Sequence, residues 1–415
     1  MQKIYNIASQ FVQAALPLSG IFSEKMKLFV RGRKESFSIL KNNIQPGEKV
    51  IWFHVASLGE FEQGLPIMKV VKELFPAHKI LVSFFSPSGY ENKKNASIAD
   101  VTVYLPLDTP GNARKFLDLV NPSHVIFVKY DFWPNYLYEL QKREIPAILV
   151  SGGFHRSQIF FKPYGEWMRK SLKSFDHFFV QNEESKGLLG SIGFTNATVS
   201  GDTRFDRVAG QLEMDNTLDF APVFINGKQC IVAGSTWPED EDLLGDFINS
   251  CGEEVKIIIA PHEIKPEKNR KLKERFSGAM LLSEANSTIL KEKRLLIIDN
   301  IGMLGKLYSY ADVAYVGGAA GKTGLHNILE PATFGVPIVI GKNFDRFPEA
   351  QQLQKLAGLY SAATKEELSE VMEKLLQQKD FREKTGMIAG HFISSGKGAT
   401  AIITSFIKEN YVKSS

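Results

Sequence analysis

The stretch KVIWFHVASLGEFEQGLPIMKVVKELF, residues 49–75, contains the structural unit that the rest of the chain repeats. The run from Val50 to Phe53 is apolar without alternation, which is typical of a parallel strand buried on both faces. A turn of small residues follows, and apolar residues then recur with helical spacing. The stretch therefore predicts a strand, a turn and a helix, with the acid Glu60 just past Gly59 where the helix begins.

The same alternation of strand and helix extends over almost the whole chain. Apolar runs of strand length lie at 49–55, 79–85, 101–106, 124–130, 146–152 and 177–181, and again at 230–235, 255–261, 294–299, 312–318 and 337–341. Helical patterns between such runs indicate parallel sheets. The predicted fold is α/β, with two doubly wound, Rossmann-like domains that face a cleft. Ligands of such sheets bind beyond the carboxyl ends of the strands.

The alternation also predicts where the domains begin and end. A chain of 415 residues exceeds what one hydrophobic core usually holds, and the pattern pauses between about 206 and 228. We expect an N-terminal segment over 1–40, an N-terminal domain over 41–210, a C-terminal domain over 211–395 and a helix over 396–415.

The composition excludes several classes of protein. Apolar residues make up 44% of the chain and charged residues 23%, which is ordinary for a globular protein. The two cysteines, Cys230 and Cys251, are isolated, so neither a disulfide framework nor a zinc site is expected. A net charge of +4 gives no argument for a nucleic-acid partner, and we expect none.

The N-terminal segment has the pattern of a membrane-associated helix. Residues 4–22, IYNIASQFVQAALPLSGIF, are moderately apolar but interrupted by polar residues. Five basic residues follow, Lys25, Lys27, Arg31, Arg33 and Lys34. An apolar helix flanked by basic residues is suited to an anionic membrane surface. Two alternatives stay open: an ordinary helix docked on its own domain, and a segment that spans the bilayer instead of lying on it.

Charged residues follow the N-terminal strands at the edge where ligands are expected. Glu60 has two interpretations, a helix-capping acid favoured by the helix dipole and a general base that takes a proton from a reacting hydroxyl. Lys129, Asp131 and Arg156 follow two neighbouring strands and are candidates for acceptor binding.

A glycine-rich stretch, YVGGAAGKTGLHNILEPATFG over 315–335, follows a strand of the C-terminal domain. Gly317 and Gly318 would allow a phosphate to approach the backbone, with Lys322 adding positive charge. A Walker A loop is excluded because Val316 stands where its first glycine is required. The alternative is a set of glycines needed only for packing.

The end of this stretch predicts a site for a ribose. A helix is predicted to open near Gly324, which would put Asn327 and Glu330 on one helix face. A carboxylate there can accept hydrogen bonds from two ribose hydroxyls.

Two further stretches of the C-terminal domain end strands at the same edge. In AGSTWPEDEDLL, 233–244, Ser235 or Thr236 is a candidate N-cap, and either hydroxyl is also a candidate phosphate contact. In IIIAPHEIKPEKN, 257–269, Pro261 and His262 end a strand. No acidic pair stands at a plausible strand end, so we expect neither a metal nor another cofactor.

Together these motifs resemble the family of transferases of 3-deoxy-D-manno-octulosonic acid (Kdo) in lipopolysaccharide biosynthesis. The resemblance covers about residues 30–350 and rests on elements in the family's order: VASLGE, SFFSPSGYE, YLPLDTPG, FWPN, IPAILVSGG, GDTRFD, GSTWPEDE and GGAAGKTGLHNILEPATFG. It implies the glycosyltransferase B (GT-B) architecture, with the acceptor mainly on the N-terminal half and the sugar nucleotide on the C-terminal half.

The resemblance also implies an activity and assigns roles to residues. The donor would be CMP-Kdo, the acceptor a tetra-acylated lipid A precursor, and the place of action the cytoplasmic face of the bacterial inner membrane. Glu60 falls at the catalytic base of an inverting transfer. Donor-binding positions fall on Ser235, Thr236, Gly318, Asn327 and Glu330.

The chain departs from the family pattern at two places. Pro261-His262-Glu263 stands where the family often has P-R-H, which leaves open whether Lys265 or Lys322 supplies the missing positive charge. Lys129 stands where the family often has an acid. Two other functions stay open: another enzyme of the same architecture, such as a UDP-sugar transferase or a sugar-nucleotide epimerase, and a two-lobed solute-binding protein.

Overall fold

The computed structural model describes residues 1–19 and 24–412. Residues 20–23 of the predicted N-terminal segment and residues 413–415 of the predicted C-terminal helix lie outside these ranges. The chain divides into two compact units, Met1–Arg207 with Lys397–Ser415, and Val208–Gly396. The division between Arg207 and Val208 falls inside a helix, Thr203–Ala209, close to the predicted boundary at 210/211.

The first unit contains a parallel sheet flanked by helices. Its strands are β1 (Val50–Val55), β2 (Lys79–Phe84), β3 (Val101–Tyr104), β4 (His124–Val128), β5 (Ala147–Gly152), β6 (His177–Val180) and β7 (Ala197–Val199). Its helices are α1 (Gln2–Ser19), α2 (Glu24–Asn43), α3 (Leu58–Leu74), α4 (Pro87–Lys93), α5 (Pro110–Val120), α6 (Pro134–Lys142), α7 (Glu166–Leu172), α8 (Glu183–Ser191), α9 (Thr203–Ala209) and, from the C-terminal end of the chain, α19 (Ala399–Ile407).

The strands of this sheet lie in the order β3-β2-β1-β4-β5-β6-β7, all parallel. The order reverses between β1 and β4, and the carboxyl ends of these two strands form the switch point where doubly wound sheets bind ligands. The strands are buried on both faces, by α5 and α6 on one side and by α3 and α19 on the other. Asp206 accepts hydrogen bonds from the amides of Gly398 and Thr400 and so fixes the start of α19.

The second unit has the same construction. Its strands are β8 (Gln229–Thr236), β9 (Val255–Pro261), β10 (Ala279–Leu281), β11 (Leu295–Ile297), β12 (Val313–Val316), β13 (Ile338–Gly341) and β14 (Leu359–Ala362). Its helices are α10 (Phe220–Ile225), α11 (Pro238–Ser250), α12 (Pro266–Arg275), α13 (Ser287–Glu292), α14 (Leu304–Leu307), α15 (Leu329–Thr333), α16 (Pro348–Lys355), α17 (Lys365–Gln377) and α18 (Lys379–Gly396). The strand order is β10-β11-β9-β8-β12-β13-β14, all parallel, with its switch point between β8 and β12.

The predicted fold class is confirmed: both units are doubly wound parallel α/β structures. Each predicted strand is present, and the sequence missed β7, β10 and β14, which are short strands at sheet edges. The segment over 206–228, where the alternation pauses, contains the end of α9, a 3₁₀ turn and α10 but no strand, as the sequence predicts. Within residues 1–19 and 24–412, every helix is too short or too polar to cross a membrane.

Candidate functional site

The carboxylate of Glu60 lies at the switch point of the first sheet. Glu60 is the third residue of α3, directly beyond the carboxyl end of β1, and its residue is 8% exposed. The Ser57 hydroxyl donates to Oε2 at 2.7 Å. Ser57 occupies the N-cap position but caps no amide with its side chain. The serine therefore orients the carboxylate, and the helix start provides the favourable dipole that the sequence predicts.

A buried histidine next to this acid forms a network that the sequence analysis missed. His54, the fifth residue of β1, is fully buried and contacts the Ser83 hydroxyl at 2.8 Å through Nδ1 and Asp131 Oδ2 at 2.9 Å through Nε2. The Trp52 indole N–H donates to Ser83 Oγ, and that of Trp133 donates to Asp131 Oδ2. A carboxylate can only accept, so Nε2 is the donor to Asp131, and Nδ1 can accept the serine proton.

The structure places the three acceptor-side candidates differently. Asp131 is held by His54 just beyond the end of β4, the strand that neighbours β1. Lys129 precedes it with a φ of 75°, a left-handed conformation, and its ammonium lies 5.1 Å from the centre of the Tyr130 ring. Arg156 is exposed in the turn after β5. Asp131 and Glu60 thus follow adjacent strands at the switch point, whereas Arg156 follows the next strand along the sheet.

Two of the motifs that carry the family resemblance hold the first unit together. Asp108, in the YLPLDTPG element, accepts hydrogen bonds from the amides of Asn135 and Tyr136 and so caps α6 from outside the helix. The Tyr5 hydroxyl also donates to Asp108, which fastens α1 to the domain. Burial raises the pKa of Asp108 to about 6, although these hydrogen bonds act in the opposite direction.

The GDTRFD element of the first unit is structural as well. The Asp202 carboxylate accepts from the Gln63 amide at 3.1 Å and pairs with Arg204 at 2.7 Å. The Thr203 hydroxyl donates to the Gln63 carbonyl and contacts the Ser151 hydroxyl at 2.8 Å. The element therefore connects α9 to α3 and to β5, and thereby positions the helix that carries Glu60.

In the second unit, a buried carboxylate holds the glycine-rich loop. Asp240 is fully buried and accepts from the amides of Gly318 at 2.7 Å and Ala320 at 3.2 Å. It also accepts from the Tyr315 hydroxyl at 2.8 Å and from the Trp237 amide at 2.9 Å. Two amides of the glycine-rich loop thus donate to Asp240, which holds the loop in place without a ligand.

Packing alone accounts for the two glycines at the start of this loop. A Cβ on Gly317 would lie 2.4 Å from the Ser235 carbonyl oxygen, and one on Gly318 would lie 2.0 Å from that of Gly324. Gly318 also has a φ of 97°. Close packing of the loop on the end of β8 therefore requires glycine at both positions.

The predicted helix start near Gly324 is wrong. Gly324 has a φ of 99°, which interrupts a right-handed helix, and α15 begins at Leu329 and has five residues. Asn327 and Glu330 consequently do not share a helix face, since Asn327 precedes the helix. They are still in contact, because Asn327 Nδ2 donates to Glu330 Oε1 at 3.2 Å.

The N-cap of α11 is Trp237, so neither Ser235 nor Thr236 has the capping role that one interpretation gave them. Pro238 takes the first helical position, which makes its predecessor the cap. Ser235 has a φ of 53° at the end of β8, whereas the buried Thr236 donates its hydroxyl to Glu241 at 3.2 Å.

Three aromatic side chains stack at the carboxyl ends of β8 and β9. The Trp237 and His262 rings are 4.5 Å apart, and the His262 and His326 rings are 4.4 Å apart. The Trp237 indole N–H donates to His326 Nε2 at 3.0 Å. Burial lowers the pKa of both histidines, that of His326 to about 4. The stack therefore contains neutral imidazoles at neutral pH.

The two candidate cations that the sequence left open differ in their surroundings. Lys265 pairs with Glu263 at 3.5 Å, immediately after the strand that ends in Pro261. Lys322 is an exposed residue of the glycine-rich loop, and none of the ion pairs found among the described residues includes it. A ligand would find the Lys322 charge unneutralised and the Lys265 charge partly neutralised.

The comparisons with known proteins agree with the motifs. Residues 31–207 match the family model described as 3-deoxy-D-manno-octulosonic-acid transferase. A Kdo transferase of Haemophilus influenzae is 24% identical over 402 residues, covering 94% of this chain and 93% of that protein. One of Aquifex aeolicus is 28% identical, covering 85% of this chain and 94% of the relative.

One relative is much longer than this chain. A bifunctional glycosyltransferase/methyltransferase of Fusobacterium nucleatum is 28% identical over 329 residues, which cover 77% of this chain but 50% of that protein. The chain thus spans about half the length of this relative.

Solved structures share the fold at low identity. UDP-GlcNAc 2-epimerase of Neisseria meningitidis, bound to UDP-GlcNAc, has a TM-score of 0.62 at 14% identity and covers 87% of this chain and 100% of that one. MurG of Acinetobacter baumannii has a TM-score of 0.53 at 12% identity, covering 87% and 99%. These neighbours show the fold, that of GT-B glycosyltransferases and epimerases. The family model over residues 31–207 and the relatives at 24–28% identity thus make the chain similar to Kdo transferases over most of its length, which supports a glycosyltransferase activity.

Proposed function

We propose that this protein transfers Kdo from CMP-Kdo to a lipid A precursor, with inversion at the anomeric carbon, in lipopolysaccharide biosynthesis. The observation that carries the proposal is the place of Glu60: a largely buried carboxylate at the switch point of the first sheet, oriented by Ser57. The names of the relatives support Kdo as the transferred sugar.

Glu60 acts as the general base. A sugar hydroxyl of the acceptor attacks the anomeric carbon of Kdo, its proton passes to Glu60, and the bond from that carbon to the CMP phosphate breaks. The Ser57 hydroxyl occupies Oε2 and leaves Oε1 to receive the proton. A general base of this kind contributes about 10²–10⁴-fold to the rate. Asp131, held by His54 and Trp133, is suited to bind acceptor hydroxyls beside the base.

The second unit binds the donor. Because Asp240 takes the amides of Gly318 and Ala320, the Ser235 hydroxyl and the Lys322 ammonium are our candidates for stabilising the departing phosphate. Glu330 and Asn327 are the candidates for the ribose, and the ring of His262, in the stack after Pro261, for a contact with the donor. Neither a metal nor another cofactor is required by these roles, and we expect full activity in the presence of a chelator.

The N-terminal helices α1 and α2 associate with the membrane that contains the acceptor. Ile4, Ile7 and Phe11 follow one another at helical spacing on α1 and are exposed, Phe11 by 74%. Lys27 and Arg31 add positive charge on the neighbouring helix α2. Such a helix suits the anionic, cytoplasmic face of the inner membrane. Replacing Ile7 and Phe11 by serine should reduce sedimentation with phosphatidylglycerol vesicles and leave the turnover of a detergent-dispersed acceptor unchanged.

The decisive test is incubation with CMP-Kdo and the tetra-acylated lipid A precursor, read out by the mass of the product. A gain of one or more Kdo residues is expected, and their number is part of the result. A folded protein that gives no such product with either substrate in excess would overturn the proposal.

A second candidate function comes from the fold alone, because UDP-sugar epimerases and transferases share it. Competition between nucleotides separates the two. We expect CMP to inhibit or to displace the donor and UDP to be much weaker. Tighter binding of UDP would favour the second candidate.

A further inference from the structure

A pocket lies in the first unit, between helices α1 and α2 and the loop that follows β3. It has a volume of about 240 Å³ and is lined by Arg33 and Lys34 of α2 and by Asn112 of α5. Apart from Gln13, the rest of the wall is apolar and includes Leu16, Val30 and Phe37. None of the roles assigned to the transfer reaction uses these residues.

Arg33 is the unusual group in this pocket. It is 6% exposed, and its guanidinium lies 3.4 Å from the centre of the Phe29 ring and 4.6 Å from that of Phe85. Nη2 donates to the Phe85 carbonyl at 2.8 Å, and Nη1 to that of Phe29 at 3.4 Å. Nε is buried and has no hydrogen-bond partner. The contacts that the structure gives this cation are thus aromatic rings and neutral carbonyl groups.

A buried cation of this kind is under-compensated. Among residues 1–19 and 24–412, no carboxylate forms an ion pair with Arg33. The Asp131 carboxylate acts on it only through its field, and it is already hydrogen-bonded to His54 and Trp133. Burial lowers the pKa of Arg33 to about 9. An arginine taken out of water without an anion is unfavourable, so an anion bound in the adjoining pocket would relieve this cost.

We propose that this pocket binds the phosphate group of an amphiphile, with the phosphate next to Arg33 and Lys34 and the apolar part against Leu16, Val30 and Phe37. A guanidinium and an ammonium together suit a dianionic phosphate monoester better than a neutral or zwitterionic group. The Asn112 side-chain amide, which already donates to Gln13 and to the Leu107 carbonyl, fixes the rim of the pocket between α1 and α5.

The proposal concerns binding and does not depend on the transfer reaction. It can therefore be tested by calorimetry on the full chain without any sugar nucleotide. The probes are dihexanoyl phosphatidic acid below its micelle concentration, dihexanoyl phosphatidylcholine and inorganic phosphate. We expect the phosphatidic acid to bind at one site and at least about tenfold more tightly than either other probe, since charge-assisted hydrogen bonds and apolar contact act together.

Arg33→Met keeps an unbranched apolar side chain that reaches about as far as Nε of the arginine, and it removes the guanidinium and its charge. It should weaken binding of the phosphatidic acid about tenfold or more. Lys41→Met removes one charge from the exposed face of the same helix and is the matched control, expected to bind as the native protein does. Val30→Trp fills the pocket while Arg33 stays in place, and should also abolish binding. This second variant keeps the test informative if Arg33→Met does not fold.

Three results would overturn the proposal. The first is binding that survives both Arg33→Met and Val30→Trp in folded protein. The second is equal affinity for phosphatidylcholine, which would remove the role of the dianion. The third is equal affinity for inorganic phosphate, which would remove the role of the apolar wall.

Discussion

Glu60 and Asp240 occupy the same place in the two units of this protein. Each is the third residue of the helix that follows the first strand of its sheet, and each is buried. Asp240 accepts four hydrogen bonds, three of them from backbone amides, and so holds a loop. Glu60 receives the single hydroxyl of Ser57. Equivalent positions thus have different surroundings, and we expect the acid with fewer donors, Glu60, to be the one that is available for proton transfer.

The largest effect should come from removing the basicity of the available acid. Glu60→Gln keeps the size of the side chain but cannot take a proton, so turnover should fall by at least about two orders of magnitude. CMP affinity should stay near the native value, because we propose that the donor binds to the second unit. The measurements are the rate of Kdo transfer and CMP binding by calorimetry.

Glu73→Gln, at the exposed end of the same helix, is the control for this change and should retain native turnover. If the Glu60→Gln variant is folded and turns over normally, Glu60 is not the general base.

The next largest effect tests whether the hydrogen bonds of Asp240 stabilise the second unit. Asp240→Asn replaces an acceptor-only group by one that carries two hydrogens, so at least one of the four donors loses its partner in a buried site. The free energy of unfolding should fall by about 3 kcal/mol, measured by urea denaturation. The glycine-rich loop should also loosen, which would weaken CMP binding.

The control is Asp242, two residues further on, which forms an exposed ion pair with Arg275. Asp242→Asn should change the free energy of unfolding by less than about 1 kcal/mol. A similar loss of stability in both variants would show that the buried hydrogen bonds of Asp240 are not special.

These two acids also show what the sequence could predict. The alternation of apolar runs places both at strand ends, because it depends on local pattern and on the topology of doubly wound sheets. Their partners do not follow from it: Asp240 reaches Gly318 and Tyr315 across more than 70 positions. His54 and Ser83 are 29 positions apart and look like ordinary strand residues in the sequence. The missed strands β7, β10 and β14 are edge strands of three or four residues, and a run that short shows no clear pattern in the sequence.

A third buried carboxylate, Asp108, resembles Asp240 in the number of its hydrogen-bond donors. It accepts several hydrogen bonds, yet burial raises its pKa to about 6. A raised folded-state pKa contributes stability that is fully present below the unfolded value, about 3.9, and is lost as pH rises through about 6. We expect this component to amount to about 2 kcal/mol and to be absent in Asp108→Asn, as measured by urea unfolding at pH 4 and pH 7. An identical pH dependence in the variant and the native protein would contradict this assignment. The control is Asp118→Asn, which changes an exposed acid that is paired with Arg143.

The smallest effect is the pH dependence of stability that His326 contributes in the second unit. Burial lowers the pKa of His326 to about 4, so its stability contribution is present above the ordinary value near 6.5 and is lost as pH falls toward 4. His326→Gln keeps an acceptor for the Trp237 indole but does not titrate. Between pH 7 and pH 4.5 the native protein should therefore lose about 1 kcal/mol more than the variant, because partial exposure screens part of the shift. The control is His155→Gln, at an exposed histidine of the first unit, which should lose as much stability as the native protein does.

The pH dependence due to His326 has the opposite sign to that due to Asp108. Burial favours the neutral form of both groups, but protonation neutralises the acid, whereas it charges the imidazole.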